Sequence, residues 1–400
     1  MLFVAITAEA EISFRGAWIA TVANIDWPSA EAVGNTEKQQ AEMLFELDSL
    51  AAIGINAIVF QVRPTADALY LSEFEPISHW LTGKQGEWKK PKPNPNPSLK
   101  GREEMQGQTP YDPLDFTIKE AHKRGMEVHV WLNPYRVNLA KTDTSLLAKD
   151  HIMRRHPNWF WEYNKQWYFD PGLDVTREWI CTIVQDIITR YKVEAIHMDD
   201  YFYPYPAGKQ VLPDSLTFAH HPRGFEDIRD WRRNNVNMAI QDISRTIHEC
   251  RDDVEFGISP FGVWRNANRD STGSKTRAGI TNYDDLYADI RLWIQEGWID
   301  YVLPQLYWEI GKKTADYEIL AHWWANEVKG TKCKLYIGMA PYRLEKASPK
   351  TPWGQGNEIS RQMRLNRTIE EISGECFYST KPLLRNPRNV CDSICIFYKK

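Results

Sequence analysis

The sequence predicts a single α/β domain, a (β/α)8 barrel (TIM barrel) with long loops at the carboxyl ends of its strands, and three observations carry that prediction. Eight short β-rich runs alternate with seven amphipathic segments, the order expected of parallel strands joined by crossover helices. The connections after the second to fifth strands are long (64–111, 134–173, 201–222 and 260–282), whereas those leading from a helix back to a strand are two to five residues. That asymmetry belongs to a barrel that builds its site at one rim. No GxGxxG follows the first strand, which disfavours the runner-up, an open doubly wound sheet.

Each element has its own local justification. The strands are runs rich in β-branched and aromatic residues: "FRGAWIATV" from Phe14, "INAIVFQVR" from Ile55, "MEVHVWLN" from Met126, "VEAIHMDD" from Val193, "VEFGISP" from Val254, "DYVLPQLYWE" from Asp300, "CKLYIGMAP" from Cys333 and "ECFYST" from Glu375. Helices are expected at 36–53, 112–124, 175–192, 223–250, 283–296, 314–329 and 354–372. Thr36 opens the first, Gly125 closes the second, Asp174 and Thr176 open the third, and Gly297 closes the fifth, as helix start and stop signals do. The domain spans 14–387. Residues 388–400 read as a short or truncated closing element, because "KPLLRNPRNVCDSICIFYKK" holds two prolines and then stops. Residues 1–13 resemble the tail of an export signal, apolar and then small and acidic.

Composition narrows the function. With 42% apolar and 26% charged residues the chain can bury a sizeable core. A formal charge of -4 offers no long-range attraction to phosphate backbones, so nucleic acid is not an expected partner. No stretch approaches the ~20 apolar residues that span a bilayer. The six cysteines form no CxxC pair, and they suggest buried thiols in place of a zinc site or disulfide framework. The Pro-rich "KKPKPNPNPS" reads as a loop spacer. Aromatic residues are 12% of the chain and many stand beside turn signals, where flat rings suit stacking on sugars.

Strand parity then sorts barrel interior from helix-facing surface. Ile196 and Met198 face the helices, so His197 and Asp199 point inward, with Asp200 first over the rim. The same parity sends Gln61, Arg63, Trp131, Asn133, Gln305, Tyr307 and Glu309 inward, with apolar Val62, Val130, Leu132 and Leu306 outward. Asp199, Asp200 and Glu309, ringed by Tyr201, Tyr203, Tyr307, Trp308 and Trp264, make a kit for glycosidic bond cleavage. One carboxylic acid protonates the leaving oxygen while a carboxylate attacks the anomeric carbon or activates water. Neighbouring like charges raise one carboxyl pKa and keep an acid protonated near neutrality. Asp199 and Asp200 are expected as nucleophile or base and its partner, and Glu309 as the acid. Arg63, Asn133, Arg136, His197, Tyr201, Trp264, Gln305, Tyr307 and Trp308 are expected to position substrate, with Arg63 and Arg136 alternatively holding carboxylates in place. The chemistry requires no metal or cofactor. Two rival readings are a non-catalytic glycan-binding barrel and a metal-dependent hydrolase or deacetylase with Asp199, Asp200 and His197 as ligands.

The stretches "FRGAWIATVANIDWPS", "INAIVFQVRPTADALY", "VHVWLNPYR", "IHMDDYFYP", "GISPFGVWRN" and "YVLPQLYWEIG" together resemble the glycosyl-hydrolase-like family 10, from about Phe14 to Pro387. The resemblance implies a (β/α)8 barrel, a periplasmic, outer-membrane-associated or secreted location in a bacterium, and action on a cell-surface polysaccharide. Members include a glycosidase that cuts peptidoglycan strands stripped of their stem peptides. Related barrels acting on aminosugar polymers carry paired aspartates after the fourth strand, positions that match Asp199 and Asp200 here.

Overall fold

The computed structural model describes residues 12–87, 111–138 and 144–399. The Pro-rich spacer and nearly all of the signal-like start lie outside them. Ten strands are present among the described residues: β1 (Phe14–Ile19), β2 (Ala57–Arg63), β3 (Glu127–Leu132), β4 (Phe160–Tyr163), β5 (Gln166–Phe169), β6 (Ala195–Met198), β7 (Glu255–Ile258), β8 (Tyr301–Val302), β9 (Lys334–Met339) and β10 (Ile372–Phe377). Eight of them close a parallel barrel in the order β1, β2, β3, β6, β7, β8, β9, β10, and β10 returns to β1 with Phe14 opposite Gly374. The expected (β/α)8 barrel is the fold.

Helices join the strands, and four of them start where a side chain satisfies a free amide. The principal ones are α1 (Thr36–Ala52), α2 (Pro113–Lys123), α3 (Asp174–Arg190), α4 (Ile228–Cys250), α5 (Ile290–Gln295), α6 (Tyr317–Val328), α7 (Glu358–Asn366) and α8 (Val390–Tyr398). Asn35 caps α1, Asp112 caps α2, Asp227 caps α4 and Asp316 caps α6, each accepting a backbone N–H. Three helices begin four to seven residues later than the sequence predicts. α4 begins only at Ile228, beyond Arg223 and Gly224, both at positive φ. The segment before α5 breaks at Tyr287 (φ 54°), leaving a separate turn at Asn282–Asp285. Gly356 (φ 82°) delays the start of α7. The tail is helical: α8 buries Val390 and Ile394, packs on α7, and its Tyr398 hydroxyl donates to Glu375 of β10 at 2.6 Å.

Two apolar cores result. The larger lies between sheet and helices and contains Val62, Val130, Leu132, Ile196, Met198 and Leu306, the outward parity set. The smaller fills the barrel with Phe14, Trp18, Val59, Trp131, Tyr301 and Tyr336. Gly257 makes room for this inner layer, because a Cβ there would stand 1.8 Å from the Tyr301 ring. An antiparallel hairpin, β4–β5, lies in the loop after β3 and turns at Asn164 and Lys165, both at positive φ.

Candidate active site

A cavity of about 200 Å³ opens at the carboxyl ends of the strands, lined by Trp18, Trp131, Asp199, Asp200, Tyr201, Ser259, Gln305, Tyr307 and Tyr378. Six barrel strands or their immediate extensions contribute to it. β6 ends at Met198, so Asp199 and Asp200 are the first residues beyond the ladder, where two adjacent carboxylates can turn to different partners without interrupting strand pairing.

Asp199 is 4% exposed and held by three donors. Trp131 Nε1 reaches Oδ2 at 3.0 Å, while Asn133 Nδ2 and the Tyr201 amide reach Oδ1 at 3.1 and 3.2 Å. Burial raises its pKa above the ordinary carboxylate value, and Arg136 together with these donors partly offsets the rise. Asp200 is equally buried and accepts from the Tyr205 hydroxyl. Burial first, and the adjacent Asp199 charge second, push its pKa up to about 7. The cavity thus pairs a carboxyl that keeps its proton near neutrality with a carboxyl gripped by donors.

The expected site residues divide into those that reach the cavity and those that do not. Asp199, Asp200, Tyr201, Gln305 and Tyr307 line it. Asn133 reaches Asp199 and also accepts from the Arg136 amide at 2.9 Å, so it positions the carboxylate. Arg136 donates twice to the Pro64 carbonyl and lies 5.1 Å from the centre of the Tyr201 ring. Arg63 is fully buried, bonded to Glu75 and to the Asn133 and Pro134 carbonyls, and braces two loops away from the cavity. His197 lies beneath the floor with one ring nitrogen on Tyr301 and the other on Ser259, and burial holds its pKa well below the usual value. The rival metal set of Asp199, Asp200 and His197 is therefore not assembled. Among the described residues no group of three His, Cys, Asp or Glu side chains is placed to hold a metal ion.

Three expected residues lie elsewhere. Glu309 accepts from Trp353 Nε1 at 2.9 Å and pairs with Lys312 at 3.2 Å. Burial would raise its pKa, but its own amide, Lys312 and Trp353 outweigh burial and lower it, the wrong direction for an acid. Strand parity fails here because β8 ends at Val302 and the chain turns toward Gly311 (φ 86°). Trp264 is 4% exposed, donates to Asp289 and stacks on Trp323, in the outer core. Trp308 packs edge-on against Phe261 at 5.4 Å, outside the cavity lining.

Trp18, Ser259, Tyr378 and Tyr205 escaped the sequence reading. The first three were accessible to parity, since Trp18 follows Phe14 and Gly16, Ser259 follows Gly257, and Tyr378 extends β10 just past Phe377. Tyr205 comes from a loop, where periodicity carries no information.

The family model described as Glycosyl hydrolase-like 10 matches residues 13–92 and 96–354. The glycosyl hydrolase YngK of Bacillus subtilis strain 168 is 44% identical over 388 residues, covering 97% of this chain and 72% of that protein. The glycosyl hydrolase DigH of Escherichia coli K12 is 39% identical over 392 residues, covering 94% of this chain and 84% of that protein. The glycoside hydrolase domain of PgaB (BpsB) from Bordetella bronchiseptica superposes with a TM-score of 0.55 at 10% identity, covering 97% and 98% of the two chains. The β-amylase catalytic domain of Paenibacillus polymyxa gives 0.54 at 10% identity over 98% and 99%, a likeness of fold.

Proposed function

The chain belongs to the glycosyl hydrolase-like 10 family, and on that premise we propose that it is a glycoside hydrolase acting at the cell surface on an N-acetylhexosamine glycan, such as peptidoglycan strands freed of stem peptides. The observation that carries the reading is the Asp199–Asp200 pair in an aromatic-walled cavity with, among the described residues, no third carboxylate in its lining. Asp200 is the general acid: its pKa of about 7 leaves a proton to give to the glycosidic oxygen at neutral pH. A protein nucleophile would need a second carboxylate ~5–5.5 Å from the acid and across the bond from it. Consecutive residues at one strand end favour no such opposed arrangement, and Glu309 faces elsewhere. The arrangement fits the 2-acetamido group of the substrate as the nucleophile, a route some glycosidases take, with water activated by Asp199 as the alternative. In the acetamido route Asp199 orients that group and balances the charge that develops on it. Tyr201, Tyr307, Tyr378 and Trp18 supply faces for the sugar ring.

Mass spectrometry of glycan strands incubated with the full chain tests this. N-acetylated strands are expected to be cleaved and their N-deacetylated counterparts spared. Equal turnover of both would remove acetamido participation. The D200N variant is expected to bind glycan and to lose about 10²–10⁴-fold in kcat. Binding without turnover in the parent protein would favour the non-catalytic barrel.

A further inference from the structure

Beneath the cavity a single file of polar side chains crosses the apolar interior of the barrel. It runs from Glu127 at the amino-terminal end, through His129, Tyr301 and His197, to Ser259 in the cavity lining. The successive separations are 3.2 Å (Glu127 Oε2 to His129 Nε2), 2.9 Å (His129 Nδ1 to Tyr301 OH), 2.9 Å (Tyr301 OH to His197 Nδ1) and 2.8 Å (His197 Nε2 to Ser259 Oγ). Glu127 is 56% exposed on its side chain and His129 only 2%, so one end meets solvent and the rest does not.

With both imidazoles neutral, donor counting gives the whole file one direction. A carboxylate only accepts, so a neutral His129 presents N–H at Nε2 and a bare nitrogen at Nδ1. Tyr301 has one proton, and it goes to that bare nitrogen. The Tyr301 oxygen then accepts from His197 Nδ1–H, which leaves His197 Nε2 bare and obliges the Ser259 hydroxyl to donate inward. The ionised state of Glu127 agrees, since the hydrogen bond from His129 lowers its pKa. His197 agrees too: burial lowers its pKa and leaves it one proton to place.

We propose that Ser259 is a specificity-determining residue that accepts a hydrogen bond from a sugar N–H or O–H, and that its acceptor sense is imposed from the opposite end of the barrel by Glu127 through His129, Tyr301 and His197. The identity of the group it accepts from rests on the glycosidase reading. The direction of the file does not, because it follows from the hydrogen-bond geometry with both histidines neutral.

The test reads tautomers by nitrogen-15 NMR of the full chain labelled at histidine, which requires no substrate. The parent protein is expected to show His129 protonated at Nε2 and His197 at Nδ1. E127K places a donor at the exposed end and is expected to invert His197 to the Nε2 tautomer without touching it. Y301F breaks the file, so in E127K/Y301F the His197 tautomer no longer follows residue 127. E127A, which adds no charge and serves if the lysine variant fails to fold, is expected to give a mixture. A parent His197 protonated at Nε2, or one unmoved by both Glu127 variants, overturns the proposal. If the tautomers behave as stated but S259A binds and cleaves glycan like the parent, the file stands and the substrate contact falls.

Discussion

Asp200 is where single-residue chemistry is most exposed to measurement. Its pKa of about 7 stands above the ordinary 3.8, so kcat/KM is expected to fall as pH rises through about 7 and the acid loses its proton. The Tyr205 hydrogen bond favours the ionised carboxylate, so Y205F removes a lowering influence and moves that alkaline limb to higher pH. D199N removes a raising influence, and in its residual activity the limb moves down. A pH–rate profile with the same limb in parent, Y205F and D199N would take the acid role away from Asp200. Stability follows the same group with a definite sign. A carboxyl raised on folding contributes stability that is fully present below 3.8 and lost as pH rises through about 7. Urea unfolding at a series of pH values should therefore show a decline across that window that D200N flattens. Asp199 was legible as a site residue because a carboxylate behind an apolar run is hard to place in a core. Its three donors were not legible, since they come from β3 and the chain just beyond it and from the turn after Asp199.

At the scale of elements, the loops are held by buried ion pairs and the strands by exact fits of ring to backbone. Arg63 at the end of β2 and Glu75 in the following loop are both fully buried, 2.6 Å apart. Glu75→Ala would leave the guanidinium buried without its counter-charge, held by the Asn133 and Pro134 carbonyls, and a loss of about 3–5 kcal/mol in chemical denaturation is expected. Gly257→Ala would drive a methyl into the Tyr301 ring, a buried aromatic with nowhere to retreat, and should cost about 1–3 kcal/mol or more. A melting temperature unchanged in either variant would contradict the packing described. Helix positions were readable from periodicity and from the closing glycines Gly125 and Gly297, although Asn35 and not Thr36 caps α1 and no side chain caps α3. Breaks at Tyr287 and Arg223 were not readable, because neither residue type announces a positive φ. The β4–β5 hairpin was readable in principle: two aromatic runs, "FWEY" and "QWYF", flank Asn164–Lys165.

For the molecule as a whole, closure of the barrel is the property on which the site depends, and α8 contributes to it. Its Ile394 is fully buried, and its Tyr398 lies against Gly54, in the turn before β2, while bonding Glu375 of β10. Deleting 387–400 would strip a donor from a buried carboxylate and uncover apolar surface at the seam between the last and first strands. A lower and broader thermal transition is expected, read by differential scanning calorimetry. The alternation of strand and helix, the long loops at one rim and the inward parity of Trp131, His197 and Asp199 are local regularities, set by side-chain periodicity along short segments. A linear reading determines them, and with them the fold and the Asp199–Asp200 pair. Which carboxylate faces a third, which aromatic reaches the cavity and which histidine is sealed beneath it depend on contacts between residues tens to hundreds of positions apart. Glu309 turned to Trp353, Trp264 joined the outer core and His197 bonded Tyr301. Those choices were made only when the barrel closed, because a side chain past the end of its strand is no longer aimed by the pleat and goes where packing and hydrogen-bond partners draw it.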